Sequence, residues 1–238
     1  MAELISIGLG EEGMTDTHRL FVQALMSRTL IAENDLQELF KQVHVATGKQ
    51  PGTLNEFLKI IKANLDIISF DITSVKSEDD GRRYFALVNR YADEISKMAS
   101  DYEPQEMELL NKLVELITLS DSGTASSIDV DNVAPLLTRP LTKAAAEVAV
   151  RKFTHDGWIH DDEGTLSLTT RTILELEPHL KESFSEHVIA CAACSSLVFR
   201  GQVCKQSGCG GKLHNHCLAL FRGTRPNFAC LTCKADFL

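Results

Sequence analysis

The hydrophobic positions in the first quarter of the chain recur with the period of an α-helix. Three successive segments show this spacing, with apolar positions at Leu20, Phe21, Ala24 and Leu25; at Leu36, Leu39, Phe40 and Val43; and at Leu54, Phe57, Leu58, Ile61 and Leu65. Residues suited to capping a helix N-terminus precede each segment: Thr15 with Asp16, Asn34 with Gln37, and Thr53 with Glu56. Three short helices are therefore predicted in succession.

After the third helix the period changes from 3.6 to 2. Ile68, Phe70 and Ile72 alternate with other residues, and an apolar stretch returns at residues 84–88. Asp80-Gly81 between them is suited to a hairpin turn. Three helices followed by a β-hairpin is the order of a winged-helix domain, which we predict for residues 14–100.

The same order recurs in the next 80 residues. A helical segment with Leu110 and Leu113 is followed by a Ser/Gly-rich break, a short apolar element and an Ala-rich helix capped by Thr142. A turn at residues 161–164 then separates two short apolar stretches, and a last helix follows. A second winged helix is predicted for residues 103–182, although one irregular helical domain would give a similar periodicity.

Cysteines occur only near the end of the chain. All seven lie between Cys191 and Cys233, and with one histidine they form four pairs: Cys191 and Cys194, Cys204 and Cys209, His214 and Cys217, and Cys230 and Cys233. An odd number of thiols in CxxC pairs, mixed with histidine, favours metal binding in a reducing compartment. The alternative, a secreted disulfide framework, would need an even count and a signal peptide.

Eight such ligands are enough for two closed tetrahedral zinc sites. Because a closed site has no open position for water, both Zn²⁺ ions would be structural. In RING and PHD fingers the first and third pairs share one ion, and the second and fourth pairs share the other. This arrangement predicts one site of Cys191, Cys194, His214 and Cys217, and another of Cys204, Cys209, Cys230 and Cys233.

The fold class that follows is mainly α with short β-hairpins (α+β). Two tandem winged helices precede a small, cross-braced RING/PHD-like finger at residues 188–238. His214 keeps the usual two-residue gap to Cys217 and is the predicted ligand, whereas His216, which lacks that gap, is the competing candidate. Six other histidines lack partners at ligand spacing and are expected at the surface: His18, His44, His155, His160, His179 and His187.

Composition and charge limit the function. With 44% hydrophobic and 24% charged residues, the 238-residue chain resembles an ordinary globular protein. Its first residues have no basic n-region, and no stretch reaches the roughly 18 apolar residues of a membrane span, so an intracellular protein without a membrane part is expected. The formal net charge of −9 opposes nonspecific DNA binding by the whole surface.

The predicted winged helices offer few basic side chains. Lys59 and Lys62 lie on the third helix of the first, and Lys143, Arg151 and Lys152 lie on the corresponding helix of the second. Such short charge runs are usually solvated helix faces. Weak DNA contact is possible for this fold, but contact with other proteins is favoured.

Several segments together resemble one family. They are two winged helices, DDGRRYFALVN at residues 79–89, SKMAS at residues 96–100, GTASS at residues 123–127, and a finger with four Cys, one His and three Cys. In this combination the chain resembles the non-SMC element one family, the RING-type subunits of the Smc-five/Smc-six chromosome complex. The resemblance covers nearly the whole chain.

The resemblance implies a function and partners. It implies a nuclear, chromatin-associated role in DNA repair and homologous recombination. It also implies binding to a MAGE-type winged-helix subunit, with a kleisin-type subunit completing the subcomplex. Members are described as RING-type ubiquitin ligases, which hold a ubiquitin-charged conjugating enzyme in a reactive geometry.

Three positions differ from those of active RING fingers. Ala193 lies inside the first CxxC, where active RING fingers commonly have Ile or Leu. Leu231 lies inside the last CxxC, where Pro is common, and Lys234 follows the last ligand, where Arg provides a planar fork. These candidate conjugating-enzyme contacts predict low or partner-dependent activity. A non-catalytic architectural subunit is the main alternative, and a PHD-like histone reader is a second, suggested by ligand order and Phe228.

Overall fold

The computed structural model describes residues 13–90, 102–224 and 228–237. The chain divides into two compact units, of which the first comprises residues 13–75 and 82–90. The second comprises residues 76–81 and the described chain from residue 102 onward. The SKMAS segment and the rest of residues 91–100 lie outside the described residues, so the predicted end of the first domain stays a prediction.

The first unit is a winged helix. Its elements are α1 (Asp16–Met26), β1 (Ile31–Ala32), α2 (Glu33–Thr47), α3 (Leu54–Asp66), β2 (Phe70–Lys76) and β3 (Arg83–Asn89). The sheet has the order β1-β3-β2, and the two-residue β1 pairs antiparallel with β3 so that Ile31 faces Phe85. The predicted three helices and hairpin are confirmed, and β1 adds a third strand.

The predicted N-cap residues are confirmed for two of the three helices of the first unit. Thr15 is the N-cap of α1, and the Thr53 hydroxyl accepts a hydrogen bond from the Glu56 N–H at 3.3 Å at the start of α3. The predicted capping box of Asn34 with Gln37 is wrong, because α2 begins at Glu33. Pairing of Ala32 with β3 keeps the chain extended until that point.

The core of the first unit contains two residues that sequence reasoning placed outside it. His18 and His44 are buried, contrary to the expectation of a surface position. The His18 ring stacks on Phe57 at 4.3 Å between centroids, and His44 Nδ1 lies 2.7 Å from the Phe40 carbonyl oxygen. His18 Nδ1 accepts from the Thr15 N–H at 3.0 Å, so each buried imidazole has a neighbouring aromatic ring and a local polar partner.

Two apolar residues that the periodicity places in the core are instead exposed. Leu20 is 37% exposed and Ile68 is 61% exposed. Leu20 lies on the outer side of α1, where Thr17 and His18 take the buried positions instead. Ile68 precedes β2 in a turn whose next residue, Ser69, has a φ of 62°, so the strand alternation begins only at Phe70.

The second unit contains another winged helix. Its elements are α4 (Pro104–Leu119), β4 (Ala125–Ser126), α5 (Ser127–Val133), a 3-10 turn (Ala134–Leu136), α6 (Lys143–His155), β5 (Ile159–Asp162), β6 (Thr165–Leu168) and α7 (Thr170–Ser183). The sheet order β4-β6-β5 repeats that of the first unit. Tandem winged helices are thus confirmed, and α6 is capped by the Thr142 hydroxyl as predicted.

Tyr102, just before α4, contacts residues at the end of α6. Its hydroxyl donates to Asp156 Oδ2 at 2.6 Å, its ring meets Phe153 edge-on, and the Lys152 amine lies 4.4 Å from the ring centroid. Burial, followed by the hydrogen bond to Asp156, raises the pKa of Tyr102. The phenol therefore remains a hydrogen-bond donor at neutral pH.

Replacing Tyr102 with Phe should cost about 1 kcal/mol of unfolding free energy, because one partly buried hydrogen bond is lost while the ring contacts remain. Urea denaturation followed by circular dichroism measures the change. In an Asp156→Ala background the same replacement should have little further effect. Equal losses in both backgrounds would show that the hydrogen bond contributes nothing.

The remaining elements of the second unit form a small finger. They are β7 (Gly201–Val203), β8 (Lys212–His214) and α8 (Asn215–Thr224). Its core combines cysteines with few apolar side chains, among them Val198, Leu213 and Phe237. Within the part of the chain that is described, no helix is both long and apolar enough to span a bilayer.

Candidate metal centre

Two short hairpins of the same geometry carry half of the candidate ligands. Each is closed by an isolated β-bridge, Ala190 with Leu197 in one and Ala229 with Asp236 in the other. Each ends its CxxC turn with a residue in the left-handed region, Ser195 at φ 63° and Lys234 at φ 65°. In both, the N–H of that residue bonds to the carbonyl of the first cysteine, which turns the two thiols to one side.

The structure brings together the same two sets of four side chains that the sequence predicts. Cys191, Cys194, His214 and Cys217 form the first cluster, and Cys204, Cys209, Cys230 and Cys233 form the second. In each set the candidate ligand atoms lie within 4.8 Å of one another. The ligand pairs alternate between the clusters, so the finger is cross-braced.

The distances in the second cluster fit a zinc ion. Its Sγ atoms lie 3.7 Å apart for Cys204 and Cys233, and 3.7 Å apart for Cys209 and Cys230. A tetrahedron with Zn–S bonds of about 2.3 Å has edges of about 3.8 Å. Gly211 makes this approach possible, because a Cβ atom there would lie 3.3 Å from both Cys209 Sγ and Cys230 Sγ.

In the first cluster His214 offers its Nδ1 atom to the thiols. This atom lies 3.4 Å from Cys194 Sγ and 3.9 Å from Cys217 Sγ. The Nε2 atom donates to the Leu197 carbonyl oxygen at 2.8 Å, which leaves the Nδ1 lone pair free for a metal. Burial lowers the pKa of His214 to about 4, so the imidazole is neutral at pH 7 as ligation requires.

The cysteine pKa values show two opposing effects. Burial acts against the thiolate of Cys230, but N–H groups of Cys233 and Thr232 donate to its sulfur and lower its pKa to about 6. For Cys217, burial and the nearby thiols of Cys191 and Cys194 raise the pKa to about 12. A dication among the donors balances the negative charge that such crowded thiolates carry. Both donor sets therefore suit Zn²⁺.

His216 is placed apart from the ligand set. Its ring stacks on that of His214 at 4.8 Å between centroids. Both of its ring nitrogens are buried and have no hydrogen-bond partner among residues 13–90, 102–224 and 228–237. Of the two histidines, the structure thus directs only His214 toward the thiols.

The candidate contacts for a conjugating enzyme lie on the two hairpins. Ala193 is exposed on the first. On the second, Leu231 packs partly against the finger core, and the exposed Lys234 donates to the Leu231 carbonyl oxygen at 2.9 Å. Phe228, the residue that suggested a histone reader, is partly buried and packs against Phe221 and Phe237.

Sequence reasoning missed two buried charged residues that contact backbone atoms of the finger, Lys212 of β8 and Glu78 of the turn at residues 76–81. Lys212 is 6% exposed, and its amine donates to the carbonyl oxygens of Phe199 at 2.7 Å and Asp121 at 3.2 Å. The Glu78 side chain is 2% exposed and accepts from backbone N–H groups of the finger. Neither has a spacing signal, because their partners are distant in sequence.

Comparison with known proteins agrees with this architecture. Residues 18–136 match the family model described as Nse1 non-SMC component of SMC5-6 complex, and residues 191–233 match a RING-like domain. A chain of a solved Nse1-Nse3-Nse4 complex has a TM-score of 0.81 and 30% sequence identity, over 95% of this chain and 98% of that one.

Curated relatives match over nearly the same span. The non-structural maintenance of chromosomes element 1 homolog of Homo sapiens is 34% identical, over 93% of this chain and 84% of the relative. The homolog of Bos taurus is 35% identical over the same shares. The protein of Schizosaccharomyces pombe is 28% identical, over 87% of each chain.

Proposed function

Because the chain belongs to the family of Nse1 non-SMC components of the SMC5-6 complex, we propose that it acts with that complex in DNA repair and homologous recombination in the nucleus. The observation that carries this proposal is likeness over nearly the whole chain, including both winged helices and the finger. A likeness to the finger alone would fit many unrelated proteins.

The proposed partners are a MAGE-type winged-helix subunit and a kleisin-type subunit. The solved neighbour comes from an Nse1-Nse3-Nse4 complex, and an identity of 30% over 95% of this chain supports a similar assembly. The tandem winged helices provide the protein-binding surfaces of this assembly. Co-purification with both subunits tests this part of the proposal.

Two Zn²⁺ ions are proposed to be structural cofactors of the finger. All eight donors are cysteine or histidine, and four such donors are enough to complete a tetrahedron around one ion without an open position. The metal therefore shapes a surface and performs no chemistry itself. Any catalysis must come from what that surface binds.

The activity proposed for the finger is that of a RING-type ubiquitin ligase. Such a ligase forms no covalent intermediate with ubiquitin. It holds a ubiquitin-charged conjugating enzyme so that the thioester adopts its reactive conformation, and the rate gain comes from positioning. Ala193, Leu231 and Lys234 are the proposed contacts, and the similar geometry of the two CxxC hairpins that carry them supports this choice.

The geometry favours weak activity in the isolated chain. Ala193 presents a single methyl group, part of Leu231 is used in the finger core, and the Lys234 amine is engaged with a carbonyl of its own hairpin. Each feature reduces what is available to a conjugating enzyme. Binding of the MAGE-type partner is expected to raise the activity.

Ubiquitin discharge from charged conjugating enzymes tests this function, with the MAGE-type partner present and absent. Ala193→Asp and Lys234→Glu should each reduce partner-stimulated discharge about tenfold or more, because they disturb the proposed contact without removing a zinc ligand. Ser207→Asp and Lys205→Glu are controls with the same charge changes on exposed finger residues outside the hairpins.

The alternative is a purely architectural subunit. It is favoured by the small contact that Ala193 offers. If discharge stays at background with every conjugating enzyme, while both variants assemble normally and support the complex, the architectural function stands and the ligase function does not.

DNA contact through the second winged helix is expected to be weak. Two of its three predicted basic residues already form intramolecular ion pairs, Lys143 with Asp131 at 2.7 Å and Lys152 with Glu106 at 3.1 Å. A phosphate would have to compete with these carboxylates.

A further inference from the structure

One buried carboxylate of the second unit has no role in the functions considered above. Glu78 belongs to the turn of residues 76–81, whose acidic sequence Glu78-Asp79-Asp80-Gly81 would normally be solvated. Its side chain is nevertheless only 2% exposed. Because an ionised carboxylate loses several kcal/mol of solvation on burial, this position requires compensating partners.

The hydrogen-bond donors to Glu78 among the described residues come from one segment of the finger. Glu78 Oε1 accepts from the Phe199 N–H at 2.7 Å and from the Arg200 N–H at 3.2 Å. Glu78 Oε2 accepts from Arg200 Nε at 3.3 Å. The neighbouring Asp79 accepts from Arg200 Nη2 at 2.6 Å. The turn thus holds the backbone that follows the first CxxC hairpin.

The same carboxylate lies beside a candidate zinc ligand. Glu78 Oε1 is 3.6 Å from Nε2 of His214, the ring nitrogen that donates to the Leu197 carbonyl oxygen at 2.8 Å. Ligating histidines commonly donate their second N–H to a carbonyl or carboxylate, which fixes the ring and makes it a stronger base. Here a carbonyl accepts the hydrogen bond, and a carboxylate adds negative charge behind it.

Glu78 also fixes the carbonyl that orients His214. Leu197, which accepts from the imidazole, is two residues before Phe199, which donates to Glu78. On the other side of this segment, Lys212 donates to the Phe199 carbonyl oxygen. The cations of Lys212 and Arg200 offset the negative charge that Glu78 adds near three thiolates.

We propose that Glu78 is a positioning residue of the first metal site, through which the turn of residues 76–81 strengthens zinc binding by His214. The inference rests on the zinc occupancy proposed above and is independent of ligase activity. It also gives a role to the acidic turn at which the DDGRRYFALVN segment begins. The second site, which lacks histidine, should not depend on Glu78.

Cadmium-113 NMR of the full chain, with Cd²⁺ replacing Zn²⁺, can observe the two sites separately because one has three sulfurs and the other has four. Glu78→Gln keeps the shape and removes the charge. It should move only the resonance of the three-sulfur site. In the zinc-loaded protein, one of the two ions should transfer to a chelator about tenfold faster, while the other keeps its rate.

Asp79→Asn is the matched control, since it removes a carboxylate one residue away that contacts Arg200 but not His214. It should change neither the resonances nor the release rates. If Glu78→Gln does not fold, Glu78→Asp keeps the charge but withdraws it by one methylene. Zinc release from one site should then be faster than in the wild type, and an unchanged rate would overturn the inference.

The outcomes separate the two proposals. Wild-type protein that binds no Cd²⁺ or Zn²⁺ would overturn zinc occupancy and this inference together. Two normal resonances in wild type, unmoved in Glu78→Gln with unchanged release, would overturn the inference alone. Equal effects of Asp79→Asn and Glu78→Gln would also overturn it, because they would indicate only a general anchor for the finger.

Discussion

Cys204→Ala is expected to release one zinc ion and unfold the finger while residues 14–181 stay folded. Structural zinc contributes about 10–16 kcal/mol of apparent binding free energy in small fingers, and that energy is available only in the folded form. The apolar core here includes few large side chains besides Phe237 and Leu213, so little else holds the segment together. Native mass spectrometry counts the zinc ions per chain.

Hydrogen exchange locates the unfolding in this variant. Amides of β7 and β8 should lose protection. Those of α2, which packs in the core of the first unit, and those of α6 should keep it. Ser207→Ala is the control, since Ser207 is exposed in the same loop as Cys204 and is not a ligand. Simultaneous loss of protection in residues 14–181 would show that the finger is not an independent folding unit.

Gly123→Ala is expected to destabilise the second unit by about 3 kcal/mol or more. Gly123 has a φ of 68°, and a Cβ atom there would lie 2.3 Å from the carbonyl oxygen of Phe199. Because the obstacle is backbone, it cannot rotate away as a flexible side chain would. That oxygen also accepts from Lys212, so any shift would disturb a second contact.

Gly157→Ala is the matched control for this prediction. Gly157 has a similar φ of 77°, but a Cβ atom there would have nothing within 4 Å among the described residues. Only the backbone strain of about 1 kcal/mol remains. Calorimetric melting of both variants measures the difference. Equal losses of stability would mean that the close approach at Phe199 carries no cost.

Much of the fold could be predicted because its signals are local. The three helices, the caps at Thr53 and Thr142 and the second hairpin turn all depend on residues a few positions apart. The sequence predicts that turn at residues 161–164, and the structure has it between Asp162 and Thr165. The two-residue strands β1 and β4 could not be predicted, since two residues cannot show a period. Each forms only because β3 or β6 supplies a partner far along the chain.

In the candidate metal centre too, residues with local sequence signals could be predicted and residues with distant partners could not. Its eight donors could be identified from pair spacing, because each pair must converge on one ion within a few residues. Glu78 could not be identified, because it reaches Phe199 across 121 positions and stands in a turn of ordinary acidic composition. For Ile68 a local signal was misleading. Its apolar character fitted the strand alternation, but the strand begins only after the turn at Ser69, so Ile68 lies outside it.

Trp158, the sole tryptophan, has an optical consequence. This residue is 6% exposed in the second winged helix, with the Arg171 guanidinium 3.9 Å from the centroid of its ring. Residues 188–238 contain neither tryptophan nor tyrosine. Intrinsic emission should therefore shift to the red only when the second winged helix opens, and melting of the finger alone should leave the spectrum unchanged.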